Sequence, residues 1–102
     1  MILVYEADGL NLLVSPVVFE AGSGIATLIG AVVEAHIKVF GATVFVGAAV
    51  VVSANEVRAV FAPWVLTPGD YTLHVRATPT GTAGQTIFDE AVLVKPSIKP
   101  RP

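Results

Sequence analysis

The chain has 102 residues, of which 54% are hydrophobic and only 14% are charged, and its net charge at pH 7 is −2. This apolar content excludes an intrinsically disordered protein, and the length fits one domain with one core. Because the chain has no cysteine, disulfide bonds, thiolate metal sites and cysteine nucleophiles are also excluded. We expect so apolar a chain to share surface with neighbouring molecules as well as to bury its own.

The N-terminal third has two possible structures. Residues 1–27 contain three short apolar runs and, at 21–24, the flexible sequence Ala-Gly-Ser-Gly. These runs are either the leading strands of the same domain or an interaction arm that adds a strand to a neighbouring molecule. In the second case Ile2, Val4 and Tyr5 are candidate protein contacts.

Two segments alternate apolar and polar residues, which is typical of a strand with one face in water. In 33–39 the odd positions are apolar and the even positions are Glu34, His36 and Lys38. Residues 71–78 repeat the same pattern. Both segments are predicted to be strands.

Residues 39–54 form a run of sixteen without charge. A helix that spans a bilayer needs about 20 apolar residues, and this run is rich in β-branched residues and contains Gly41 and Gly47. It therefore predicts two buried strands joined by a turn, and no membrane span.

The remaining apolar runs predict two hairpins. Asn55 lies between two of these runs, and the glycine-containing segment 80–84 precedes a last run at 86–94, which is apolar on both faces and is therefore expected to be buried on both sides. We expect 30–94 to be a β-meander. The predicted fold is all-β, an immunoglobulin-like antiparallel β-sandwich of about seven to eight strands, with 1–94 as a single domain.

Trp64 follows a proline, at a point where a strand ends or lies at an edge. Tryptophan is enriched in the cores of sandwich domains and at interface hot spots. A core position and a protein contact therefore both remain open for Trp64.

The last eight residues, 95–102, include three prolines and are predicted to form an extended basic tail. Lys95, Lys99 and Arg101 are three of the six basic residues of the chain. With Ile98 they are candidate protein contacts. Because the rest of the chain is acidic, we do not expect the globular part to bind nucleic acid.

The sequence offers little catalytic chemistry. No serine lies in a Gly-x-Ser-x-Gly motif, and no glycine-rich phosphate-binding motif is present. If their strands are adjacent, His36 and His74 could form a partial zinc site with Glu34; the alternative is that both are solvated strand residues. We expect a protein that is not an enzyme and has no cofactor or resident metal.

Several of these features occur in the same order in a known family. They are Leu-Ile-Gly-Ala-Val at 28–32, the strand at 33–39, the hairpin at Asn55 and Leu-Thr-Pro-Gly-Asp-Tyr at 66–71. From Gly30 onward the chain resembles small immunoglobulin-like domains of tailed-bacteriophage virions and is similar to the N-terminal domain of baseplate upper proteins. The resemblance implies a structural part of a baseplate, tail or capsid surface.

The function we expect is therefore assembly through multiple weak protein contacts. The partners are other virion proteins and copies of the chain itself, and the location is the virion, assembled in the host cytoplasm. The alternative is a module on a tail-tip or cell-surface protein that binds a ligand such as a carbohydrate.

Overall fold

A computed structural model describes residues 1–17, 27–79 and 84–98. Within these ranges the regular structure is entirely β, with seven strands. The strands are β1 Ile2–Tyr5, β2 Leu10–Val14, β3 Val32–Val39, β4 Ala42–Ser53, β5 Glu56–Phe61, β6 Gly69–Thr78 and β7 Gln85–Lys95. The all-β prediction is confirmed.

The strands follow the order β1-β7-β6-β3-β4-β5-β2 in one sheet that is nearly closed into a barrel. Each neighbouring pair is antiparallel except β1 and β7, which are parallel. The sheet is therefore mixed, and the expectation of a purely antiparallel one is wrong. The predicted meander is also interrupted, because β6 does not pair with β5 but crosses to the far side of β3.

The sheet orders the N-terminal residues within their own domain. The β1 strand pairs with β7 from Ile2 opposite Val92 to Tyr5 opposite Lys95, and β2 pairs with β5. Residues 1–17 thus supply two strands to the sheet of their own chain. The flexible sequence at 21–24 lies outside the described residues.

The uncharged run 39–54 differs from its prediction. It contains the end of β3, a turn at Phe40–Gly41 and one continuous strand, β4, of 12 residues. The first half of β4 pairs with β3 as far as Gly47, and the second half pairs with β5 from Ala48 onward. One strand that passes from one partner to the other replaces the two buried strands expected.

Gly47 lies at the residue where β4 changes partners. A Cβ atom built there would lie 2.6 Å from the carbonyl oxygen of Val60 and 2.7 Å from Cζ of Phe61. The backbone of β5 therefore approaches β4 more closely than any residue with a side chain permits. This close approach lets β4 join the two groups of strands.

The core lies on the inner side of the sheet and includes residues from β2, β3, β5, β6 and β7 and from three loop positions, with the inner residues of β4 partly buried against it. The buried hydrophobic residues are Leu10, Val14, Val17, Leu28, Ala35, Ile37, Val57, Ala59, Phe61, Leu66, Leu73, Val75, Ala77, Val92 and Val94. The prediction that the last strand is buried on both sides is wrong, because Val92 and Val94 on one face of β7 are buried, whereas on the other face Ala91 is exposed and Leu93 is only half-buried.

Glu6 holds the two ends of the described chain together. This residue is only 8% exposed, and its backbone N–H donates to the carbonyl oxygen of Lys95 at 3.0 Å. Its own carbonyl oxygen accepts a hydrogen bond from the N–H of Trp64 at 2.8 Å, and its side chain accepts one from the N–H of Ser97 at 3.4 Å. The N-terminal strand, the loop after β5 and the residues after β7 are thus connected at one end of the sheet.

The close approach at Gly47 can be tested by substitution. We expect Gly47→Ala to lower the free energy of unfolding by about 1–3 kcal/mol, because the added methyl group overlaps the β5 backbone. Ala91→Ser, at an exposed position of β7, should change it by less than about 0.5 kcal/mol. Urea denaturation followed by circular dichroism measures both. Equal stability of Gly47→Ala and the wild type would contradict the partner change at this residue.

Candidate protein-interaction surface

The exposed side chains of β4 form an apolar row along the outer side of the sheet. Val44, Val46, Val50 and Val52 have between 47% and 67% of their surface exposed, and Ala48 lies exposed at the centre of the row. We name these five residues the β4 face. The outer face of an antiparallel sheet is ordinarily polar, so an apolar row of this length is a candidate interaction surface.

The borders of the β4 face are polar beside Val46 and Val50, whereas Val60 lies opposite Ala48. On one side His36 of β3 lies opposite Val46, and on the other Arg58 of β5 lies opposite Val50. The Arg58 guanidinium donates from Nη1 to Oδ1 of Asn11 at 2.6 Å, which holds it along the border of the row. An apolar centre with a polar rim is the usual composition of a protein interface.

The β4 face continues into an exposed aromatic residue at the β3–β4 turn. Phe40 has φ of 50° and Gly41 has φ of 79°, so both residues of this turn occupy the left-handed region that two-residue hairpins favour. The Phe40 side chain is fully exposed. It borders an open hollow of about 410 Å³. The hollow is lined by residues 38–41, which include Phe40, and by residues 70–72.

The two histidines lie directly opposite each other on β3 and β6, on the outer side of the sheet. His36 is hydrogen-bonded through Nδ1 to Oγ1 of Thr43 at 3.1 Å and through Nε2 to Oε2 of Glu34 at 3.3 Å. His74 is hydrogen-bonded through Nε2 to Oγ1 of Thr86 at 2.9 Å. The strands are thus adjacent, as the partial zinc site required.

Glu34 contacts His36, but in the described structure the two histidines and this carboxylate do not form a metal-binding group. In the parts of the chain that the structure describes, no group of three or more histidine, cysteine, aspartate or glutamate side chains could hold a metal ion. The residues near the pair are Lys38 and Arg76, together with Glu34. Two cationic side chains beside the histidines oppose the binding of a metal cation.

The candidate contacts from the sequence lie in two environments. Ile2 and Val4 are half-buried and pack against the core, on the inner side of β1. Tyr5 is 44% exposed and Ile98 fully exposed, and both border one hollow at the end of the sheet where β1 and β7 end.

Two of the other candidates, Trp64 and Lys95, lie near the same end of the sheet. Trp64 is half-buried, with φ of 68°, and is held by its hydrogen bond to Glu6. Lys95, the last residue of β7, is exposed. Lys99 and Arg101 lie outside the described residues.

The β4 face is the feature that sequence reasoning missed. Its signal is the uncharged run 39–54, whose β-branched residues and glycines predict buried strands. The alternation of residues along a strand distinguishes its solvent-exposed face from its buried face only when the two faces differ in polarity. The run itself therefore could not show that one face of β4 is in water.

Comparison of the chain with models of protein families, with curated proteins and with solved structures finds no match. Within the described ranges, no helix is long and apolar enough to cross a membrane. The geometry of the β4 face and its surroundings therefore provides the structural basis for a functional proposal.

The environment of His74 predicts how stability depends on pH. Partial burial and the positive charge of Lys38 lower the pKa of His74 below its usual 6.5, with smaller contributions from Arg76 and His36, whereas Asp89 acts in the opposite direction. The unfolded chain therefore takes up a proton at His74 more readily than the folded chain. The free energy of unfolding is therefore highest above pH 6.5, where His74 is neutral in both states. It decreases as the pH falls below 6.5, because the unfolded chain then binds the proton first.

We expect the melting temperature of the wild type to fall more between pH 7.5 and pH 5 than that of His74→Gln, which has no proton to bind there. Differential scanning calorimetry at both pH values measures the difference. Lys38→Gln, which removes one of the charges that lower the pKa, should reduce the fall in the wild-type background. Parallel curves for the wild type and His74→Gln would contradict the lowered pKa.

Proposed function

We propose that this chain is a non-enzymatic structural module of a phage virion, which acts in multiple copies by docking on other protein surfaces. The observation that carries the proposal is the β4 face, an uncharged row of five exposed aliphatic side chains on a strand of 12 residues. A catalytic or small-ligand role gives no reason for such a row. A docking role does, because burial of apolar surface is the dominant favourable contribution to most protein association.

The size of the row supports action in many copies. Removal of apolar surface from water contributes about 25 cal/mol per Å², but association also loses translational, rotational and side-chain freedom. One row of valines therefore gives a weak contact by itself. In an assembly, neighbouring contacts hold the chain close to its partner, so weak contacts together become effective.

We also propose that the fold is an immunoglobulin-like sandwich. The pairings divide the strands into two groups, β1-β7-β6-β3 with the first half of β4, and β2-β5 with its second half. The change of partner at Gly47 supports a division into two facing sheets, since strands that switch sheets form the corners of such packings. The resemblance of 30–94 to domains of tailed-phage virions supports a baseplate, tail or capsid surface as the place of assembly, after synthesis in the host cytoplasm.

The surroundings of the histidine pair support a non-enzymatic role. Both rings lie on an open strand face and are hydrogen-bonded to threonine or glutamate side chains. The lowered pKa of His74 follows from partial burial and neighbouring cations, as is common for structural groups. A general base also needs a nucleophile and an oxyanion-binding group at hydrogen-bonding distance, and the sequence indicates neither.

The proposed location predicts a physical association with particles. Virus particles purified on a density gradient from the source of the sequence should contain this chain at a fixed ratio to the major structural protein, as measured by quantitative mass spectrometry. The genes beside its own should encode tail, baseplate or capsid proteins. Absence of the chain from intact particles would contradict the proposal, whatever the chain binds in isolation.

A second candidate function rests on the hollow beside Phe40. A fully exposed aromatic ring near the carboxylate of Asp70 and the half-buried ring of Tyr71 offers a stacking surface with polar groups, the arrangement that binds small ligands such as sugars. The Tyr71 ring is fixed by an edge contact with Phe45 and by a hydrogen bond between its hydroxyl and Oγ1 of Thr67 at 2.9 Å.

A glycan array distinguishes this candidate from docking. Sugar binding at the hollow predicts signals that Phe40→Ala abolishes and that Val46→Ser, on the β4 face, leaves unchanged. An array without signals for the wild-type chain would remove the candidate.

A further inference from the structure

We propose that the β4 face packs against the β4 face of a second copy of this chain and forms a two-fold symmetric dimer. The inference rests on the docking role proposed above and names the partner that occupies the surface. Three properties of the face support a second copy over a different protein: its size, its lack of charge and the position of its smallest residue.

The size fits a weak dimer of two small domains. A strand of 12 residues is about 40 Å long and strands lie about 4.8 Å apart. Each half of β4 has one paired neighbour, so β4 with that neighbour presents on the order of 400 Å² of sheet surface. A stable interface buries about 800 Å² of accessible surface on each partner, so the face supplies about half of one, as expected of a dimer that dissociates on dilution.

The lack of charge favours self-association. In a two-fold dimer each residue near the axis meets its own copy, so a charged residue there would face a like charge. The β4 strand has no charged residue, and the whole chain carries only −2. A partner of opposite charge would be recognised through charges that the β4 face does not have.

The position of Ala48 allows close approach of two copies. It lies at the centre of the row, with Val44 and Val46 before it and Val50 and Val52 after it. A two-fold axis through the centre of the face places the two Ala48 residues together and the larger valines on both sides of them. Small side chains at the axis and larger ones around it permit interdigitation of the two sheets.

The proposal predicts reversible dimerisation that single charges on the β4 face abolish. Sedimentation velocity of the full chain from about 1 µM to about 1 mM should show a dimer that dissociates on dilution. Val46→Glu and Val50→Glu should each raise the dimer dissociation constant at least about tenfold, because each would bring two carboxylates of like charge together near the axis. Both residues are exposed in the monomer, so the circular dichroism spectrum and melting temperature of the diluted variants should match those of the wild type.

A matched control lies on β3. Val32 is 62% exposed, as much as Val46 and Val50, but is outside the β4 face. Val32→Glu should therefore leave the dissociation constant unchanged. A wild-type chain that stays monomeric up to about 1 mM, or a dimer that weakens equally in Val32→Glu and Val46→Glu, would overturn the proposal.

Cross-linking tests the geometry without adding charge. Because the chain has no cysteine, Ala48→Cys introduces one thiol per copy, and mild oxidation should convert most of that variant into a covalent dimer. Val32→Cys should remain monomeric under the same conditions. The opposite pattern would place the interface elsewhere and overturn the proposal. The mass-spectrometric test for the chain in particles does not depend on either result, so the dimer and the docking role can fail separately.

Discussion

The structure depends on the passage of a single strand, β4, from one set of neighbours to another. Its first half extends the β7-β6-β3 group and its second half extends the β5-β2 group. The passage is possible because Gly47 has no side chain where the β5 backbone comes within 2.6 Å of the Cβ position. With β4 continuous, both groups of strands direct their inward residues into one core.

The same passage explains why the β4 face is apolar and in water. A strand in two groups has its inner side against the core along its whole length, which accounts for the partly buried Phe45, Ala49 and Val51. The intervening residues lie outward, and no element of the described chain covers them. Their side chains remain largely exposed in the described chain, and this is the reason for proposing a partner. At the end of the sheet, the hydrogen bonds of Glu6 instead satisfy polar groups within the chain.

The parts of the fold that could be predicted are those in which local sequence and environment agree. Strands β3 and β6 alternate polar and apolar residues, and each has one face in the core and one in water. The two hairpins follow from turn residues between apolar runs, at Ala54–Asn55 and near 80–84. In these segments a local pattern is sufficient to predict the strand and its buried face, because side chains along a strand alternate between its two faces.

The rest depended on long-range packing. Nothing near β5 or β6 encodes the crossover that separates them, since it is the pairing of β6 with the distant β3 that excludes β5. The parallel pairing of β1 with β7 joins residues about ninety positions apart, and neither segment contains a local sequence pattern that predicts it. The β4 face was not predicted, for a different reason. The inward and outward residues of β4 are both mostly apolar, so the sequence does not distinguish them.

The most direct measurement of the central claim is the solvent accessibility of individual valine methyl groups by NMR, with a soluble paramagnetic agent in a dilute sample. The account predicts strong relaxation of Val44, Val46, Val50 and Val52, comparable to that of Val32, and weak relaxation of the buried Val57 and Val75. Methyl groups on β4 that are as protected as those of Val57 in the dilute, monomeric chain would show that the face is covered by the chain itself, and would contradict the account.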